Sequence, residues 1–248
     1  MKLALLVTDL DNTLVGDDRA LENLLAGLQT ARQTQGIKLV YSTGRSLTLY
    51  QDLATAQHLP DPDALITAVG TEIRYAPPGE VDATWASGLG SDWDRQGVEA
   101  IAAAIPALTP QPASEQGPFK LSYSLAPDRA EATLGELRGQ FQRQGLGVQM
   151  IYSGSEDLDL LPLGANKGAA LQFVRSQWHI APEQTLVCGD SGNDQALFTV
   201  GQERGVIVGN AQPELRQWHE TYGESRHYLA QGCCAAGIWE ALGHFQWR

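Results

Sequence analysis

The chain has 248 residues, enough for one large domain or two modest ones, and its 43% apolar and 19% charged residues are those of a folded globular protein. A net charge of −12 argues against a nucleic-acid surface and against docking on anionic lipid. It leaves room for an anionic small molecule held by a few local cations, a metal ion or a helix N-terminus.

The opening is apolar only over residues 3–7, too short for a signal-peptide core, and no run approaches a membrane span. Cys188, Cys233 and Cys234 show no disulfide or metal spacing, so a reduced, cytoplasmic chain is expected. LALLVT (3–8) predicts a buried strand. Leucines 21, 24, 25 and 28 predict a helix started at Asp17 or Asp18 and stopped by Gly36. A strand over 37–42, a helix capped by Ser46 and a strand over 63–67 follow. This alternation predicts a parallel sheet flanked by helices.

The register then changes. Residues 71–90 read as a short hairpin followed by a loop, 91–105 as a helix, and FKLSYSL (119–125) as a period-two strand. A helix over 128–145 and strands over 148–153 and 157–162 complete a small α+β piece. From 165 the alternation resumes, with a helix, the strand TLVCGD (185–190), the helix NDQALF (193–198), a strand near 204–210, a helix near 213–219 and a last helix near 235–245. The expected fold is α/β: a Rossmann-like parallel-sheet core, 1–81 and 160–248, with an inserted α+β domain over 82–159.

Two strand ends carry paired acids. Asp9 and Asp11 follow the first strand, and on an extended backbone residues i and i+2 share a face. Asp190 and Asp194, with two glycines, follow the strand at 185. Asn193 and Asp194 sit where a helix begins, and capping explains one acid but not the whole cluster. Two such ends at the carboxyl edge of a sheet predict an oxygen-lined site for a hard divalent ion such as Mg²⁺. Thr43 and Gly44 form a turn that suits a phosphate. Lys167 stands in the first turn of a helix, where a cation is disfavoured, which points to a partner outside that helix.

DLDNT (9–13), Thr43, Lys167 and GDSGND (189–194), in that order, resemble the four motifs of the haloacid-dehalogenase-like phosphatases. STGR, AVGTEI, DLDLLP and NKG narrow the resemblance to the sucrose-phosphate phosphatases of cyanobacterial and plant type, over almost the whole chain. Thr8 stands where that family is expected to have Ser. The resemblance implies Asp9 as nucleophile and Asp11 as general acid and base. Thr43, Gly44 and Lys167 would lie on the phosphoryl group. Mg²⁺ would be held by the Asp9 side chain, the Asp11 carbonyl and Asp190, with Asp194 as a water-mediated ligand or the partner of Lys167. The middle domain would be a cap that reads the sugar.

Arg45 and Asn193 are assigned to the substrate, Arg45 with a helix-start ion pair as the alternative. Lys120, Ser122 and Ser124 read either as a solvent-facing row or as a polar face against sugar hydroxyls. Asp157 and Asp159 read as acceptors for those hydroxyls or as turn and helix partners, and Glu72 as a contact near the junction. Trp85 and Trp93 are candidates to stack on the sugar, and the histidines read as packing or surface residues. Expected partners are a sugar phosphate and, through the resemblance, a sucrose-phosphate synthase; the chain is expected to be a monomer. The alternatives are another sugar phosphatase of the superfamily, such as one for mannosyl-3-phosphoglycerate, a phosphotransferase, or an idle binding module.

Overall fold

Short apolar runs that end in turn residues become the strands of a seven-stranded sheet. The computed structural model describes residues 2–76 and 79–247. In chain order the first elements are β1 (Leu5–Thr8), α1 (Asp18–Gln35), β2 (Lys38–Ser42), α2 (Leu47–Ala56), β3 (Ala64–Thr67) and β4 (Glu72–Tyr75). The Asp17 carboxylate caps α1 by accepting the Ala20 N–H at 3.0 Å, and Gly36 ends it at φ 72°. The chain continues with α3 (Ala83–Gly90), α4 (Arg95–Ala103), β5 (Thr109–Pro110), β6 (Leu121–Ser124), α5 (Pro127–Gln144), β7 (Val148–Ser153) and β8 (Asp157–Pro162). It closes with α6 (Lys167–Gln177), β9 (Thr185–Gly189), α7 (Gln195–Thr199), β10 (Arg204–Ile207), α8 (Pro213–Tyr222), β11 (His227–Leu229) and α9 (Cys234–His244).

The large sheet has the order β11-β10-β9-β1-β2-β3-β4, parallel except for the β3–β4 hairpin. Side chains alternate between two cores. Leu6, Leu39, Tyr41 and Val206 pack with Leu21, Leu24 and Leu28 of α1 and Ile238 of α9. Leu5, Val7, Val40 and Val187 face Leu171 and Val174 of α6, Phe198 of α7 and Leu215 of α8.

Between β4 and α6 the chain builds a four-stranded sheet, β5-β6-β8-β7, antiparallel throughout. Period two again sorts its faces. Leu121, Tyr123, Leu158 and Leu160 meet Val98 and Ile101 of α4 and Leu137 and Phe141 of α5. Ser122, Asp157 and Asp159 take the other face, toward the carboxyl edge of the large sheet.

Several elements differ from expectation. Residues 83–90 form α3 rather than a loop, because Asp82 caps it through the Trp85 N–H at 2.8 Å and the indole packs on Phe173. Residues 77 and 78 of that expected hairpin-and-loop stretch lie outside the described residues. β8 spans Asp157–Pro162, the strand expected there. Three residues at 227–229 add β11, a strand too short to show a pattern, and α9 begins at Cys234. Among the described residues no helix is long and apolar enough to cross a membrane.

Leu24 is fully buried between α1 and the sheet. Leu24→Ala is expected to remove about 3 kcal/mol of stability, read from chemical denaturation.

Candidate active site

In this topology the chain leaves β1 toward β2 on one side and returns to β9 on the other, so the carboxyl ends of β1, β2 and β9 surround a switch point. The Asp9 N–H still bonds to the Cys188 carbonyl at 3.1 Å, extending the ladder by one residue. Beyond it the chain turns, with the Leu10 carbonyl accepting the N–H groups of Thr13, Leu14 and Val15. Asp9 and Asp11 therefore lie in a loop, not on a pleated strand, yet both line one cleft.

Lys167 accounts for its position at a helix start. Its buried ammonium lies 2.7 Å from Asp9 Oδ1 and 2.7 Å from Asp194 Oδ1. The second Asp194 oxygen accepts the N–H groups of Asp190 at 3.0 Å and Ser191 at 3.1 Å, which shapes the loop after β9. Asp190 takes a hydrogen bond from the Thr13 hydroxyl at 3.0 Å. Carboxylate oxygens of Asp9, Asp190 and Asp194 lie within 4.8 Å of one another.

These three buried acids face a single ammonium. Burial, opposed by Lys167 and aided by Asp194, lifts Asp9 to about 7. Burial, with Asp194 and Asp9 adding repulsion, lifts Asp190 to about 8. Burial draws the Lys167 ammonium down, but Asp194 and Asp9 outweigh it and hold its pKa above the ordinary value. An oxygen-rich pocket with surplus negative charge fits a hard divalent cation such as Mg²⁺. Asp9 and Asp190 are the donors with oxygens least committed to the protein, whereas Asp194 is engaged at both of its oxygens.

The second wall is the turn after β2. Thr43 is fully buried and its hydroxyl oxygen accepts the Arg45 N–H at 3.1 Å, so Gly44 and Arg45 form the cleft surface there. The Arg45 guanidinium grips Asp11 with two bonds of 2.7 Å. Behind this turn Ala68 and Val69 hold φ values of 50° and 58°. Their N–H groups bond to the Arg45 and Thr43 carbonyls. Asn193 lines the cleft with a buried Oδ1 that has no hydrogen-bond partner.

The third wall comes from the small sheet. Lys120 precedes β6 and is buried, with Nζ 3.3 Å from the Gly44 carbonyl, 3.4 Å from Glu115 and 3.5 Å from Asp159. Asp159 accepts the Ser122 hydroxyl at 2.5 Å, and Asp157 accepts the Gln111 amide at 2.6 Å. The expected solvent-facing row is thus excluded for Lys120 and Ser122, whose partners lie inside the molecule. Gln111 and Glu115 also line the cleft and were not anticipated. They sit in a Pro-rich stretch whose only strand is the two-residue β5, which leaves no periodic signal.

Other candidates do not line this cleft. Glu72 bonds to Thr67 and Arg74, the Trp85 indole to the Gly70 carbonyl, and the Trp93 indole to the Pro118 carbonyl. His227 is buried against Phe198 and Trp218 as a packing residue. The cleft has a volume of about 520 Å³. A groove of about 760 Å³ beside α1 and α2 is larger but lacks a convergent set of buried polar groups.

A family profile described as sucrose-6F-phosphate phosphohydrolase matches residues 2–246. Sucrose-phosphatase 1 of Nicotiana tabacum is 41% identical over 97% of this chain and 59% of its own length. The chain thus spans about 59% of the plant relative it matches. Mannosylfructose-phosphate phosphatase of Agrobacterium fabrum is 33% identical, with 98% of this chain and 97% of its own length covered. The crystal structure of the sucrose-phosphatase from Synechocystis sp. PCC6803, in complex with sucrose and phosphate, superposes with a TM-score of 0.93. It is 44% identical, and 99% of each chain is covered. The fold is that of the haloacid-dehalogenase-like phosphatases.

The raised pKa values set a pH dependence. The folded, metal-free protein keeps protons on Asp9 and Asp190 that the unfolded chain, with carboxylates near 3.8, has lost. Stability from this source is complete below 3.8 and is lost as pH rises through about 7 to 8. The metal-free melting temperature should fall between pH 5 and pH 8, and Mg²⁺ should raise it more at the upper end. Calorimetry with chelator and with Mg²⁺ checks both.

Proposed function

The chain belongs to the sucrose-6F-phosphate phosphohydrolase family, and from that premise we propose that it is a Mg²⁺-dependent phosphatase that hydrolyses sucrose 6-phosphate to sucrose and phosphate. The observation that carries this reading is one cleft with a buried carboxylate–lysine cluster at its base and a polar sheet face opposite. The base suits phosphoryl transfer and the sheet face suits sugar hydroxyls.

In the proposed reaction an Asp9 oxygen attacks phosphorus and the bond from phosphorus to the sugar oxygen breaks. Asp11 gives its proton to that oxygen. The Asp11 carboxylate then takes a proton from water, whose oxygen attacks the aspartyl-phosphate and frees Asp9 and phosphate. With both Asp11 oxygens now on Arg45, this role requires Arg45 to turn toward the incoming substrate.

Lys167 neutralises Asp9 and, with the Gly44 N–H and the Thr43 hydroxyl, stabilises the phosphoryl oxygens. The Asp9 and Asp190 carboxylates and the Asp11 carbonyl would hold Mg²⁺, which would supply charge neutralisation at those oxygens. Asp194 acts through Lys167 and the loop amides, which makes the partner role fit better than that of a ligand.

The proposed cap comprises the small sheet with α4 and α5. Lys120, Asp157 and Asp159, joined by Gln111 and Glu115, face the substrate there, and Asn193 offers its unpartnered oxygen from the core side. A sucrose-phosphate synthase as partner and a cytoplasmic setting accord with this activity.

Phosphate release should be strongest with sucrose 6-phosphate and should vanish with chelator. Mannosylfructose phosphate, mannosyl-3-phosphoglycerate and glucose 6-phosphate complete the panel; preference for one of them overturns the substrate, and no release overturns the reaction. Asp9→Asn is expected to lower kcat roughly a thousandfold or more while the protein stays folded. Lys120→Ala should raise KM for sucrose 6-phosphate about tenfold, read from steady-state kinetics.

A further inference from the structure

Glu214 lies in the first turn of α8, outside the acid cluster. Its Oε1 accepts two backbone N–H groups from opposite sides of the cleft: Gly154 at 2.9 Å, in the β7–β8 turn, and Gly192 at 3.3 Å, in the loop between Asp190 and Asp194. The two backbones also touch. A Cβ on Gly192 would lie 2.8 Å from the Tyr152 carbonyl oxygen, so no larger residue allows β7 to come this close. The start of α8 holds the same loop a second time, through the Gln212 N–H on the Asp190 carbonyl at 2.7 Å. The β7–β8 turn leads directly into Asp157 and Asp159.

We infer that Glu214 is a positioning residue that clasps the β7–β8 turn to the Asp190–Asp194 loop and so sets the distance between the sugar-facing sheet and the reacting phosphorus. The role rests on the phosphatase reading above. Both donors are uncharged N–H groups and the acceptor is a carboxylate, a combination stronger than a neutral pair. A substrate that spans the cleft depends on the clasp. A small aryl phosphate, reaching only its base, does not.

The test compares wild type, Glu214→Ala and Glu214→Gln on sucrose 6-phosphate and on p-nitrophenyl phosphate, with amide exchange at Gly154 followed by mass spectrometry. Glu214→Ala should raise KM for the sugar phosphate about tenfold, the scale of a lost bond to a charged group, while p-nitrophenyl phosphate turnover stays near wild type. Exchange at Gly154 should quicken, and Glu214→Gln, which keeps an acceptor oxygen, should restore most of both. Equal losses on the two substrates would mean that Glu214 only supports the Asp190 loop, and would overturn the inference. Unchanged exchange at Gly154 would overturn it too. If wild type ignores sucrose 6-phosphate, the substrate reading fails, and the exchange arm alone decides the clasp.

Discussion

A fully buried ammonium between two carboxylates is the constraint on which the site is built. Lys167 cannot be desolvated alone, and Asp9 and Asp194 cannot lie side by side without it. The three groups come from the end of β1, the start of α6 and the loop after β9, so the pairing draws distant parts of the chain to one point. It also leaves the cluster short of positive charge, since three carboxylates share the Lys167 ammonium and Asp190 takes its hydrogen bond from the neutral Thr13 hydroxyl. A stable protein that carries this imbalance is prepared for a cation.

The two sheets divide the labour by geometry. In the parallel sheet β1 has neighbours on both sides, and its end falls where the connections diverge. Asp9 therefore hangs from backbone that is bonded to the Cys188 carbonyl of β9. In the antiparallel sheet, alternation places apolar residues on α4 and α5 and leaves polar residues facing the cleft. Lys120 then crosses from one sheet to the other and bonds to the carbonyl of Gly44. That contact joins the polar face of the small sheet and the turn after β2 into one cavity.

Much of this was legible in the linear chain. Paired acids at the ends of apolar runs marked the base of the cleft, because burial of an unpaired carboxylate is costly wherever it occurs. Lys167 stood out because a cation in the first turn opposes the helix dipole. What was not legible depended on contacts that carry no periodic signal. Gln111 and Glu115 belong to a stretch with a two-residue strand. The helix at 83–90 forms because its indole finds Phe173, a tertiary contact. The pleat argument for Asp9 and Asp11 brought the right residues together although the backbone between them turns. The bond from Arg45 to Asp11 required knowing how β2 ends relative to β1.

The short edge strand β5 has an evolutionary consequence. Gln111 and Glu115 follow β5 at the margin of the small sheet, tied to β6 and β8 by the Gln111 N–H on the Ser122 carbonyl and by side-chain contacts with Asp157 and Lys120. Most of these bonds are made by side chains rather than by a strand ladder, so a substitution there changes local contacts and leaves the large sheet undisturbed. The acid cluster allows no comparable drift, since each member satisfies another. A lineage built on this plan can therefore vary the groups that line the cleft at its margin while the buried acid cluster is inherited unchanged.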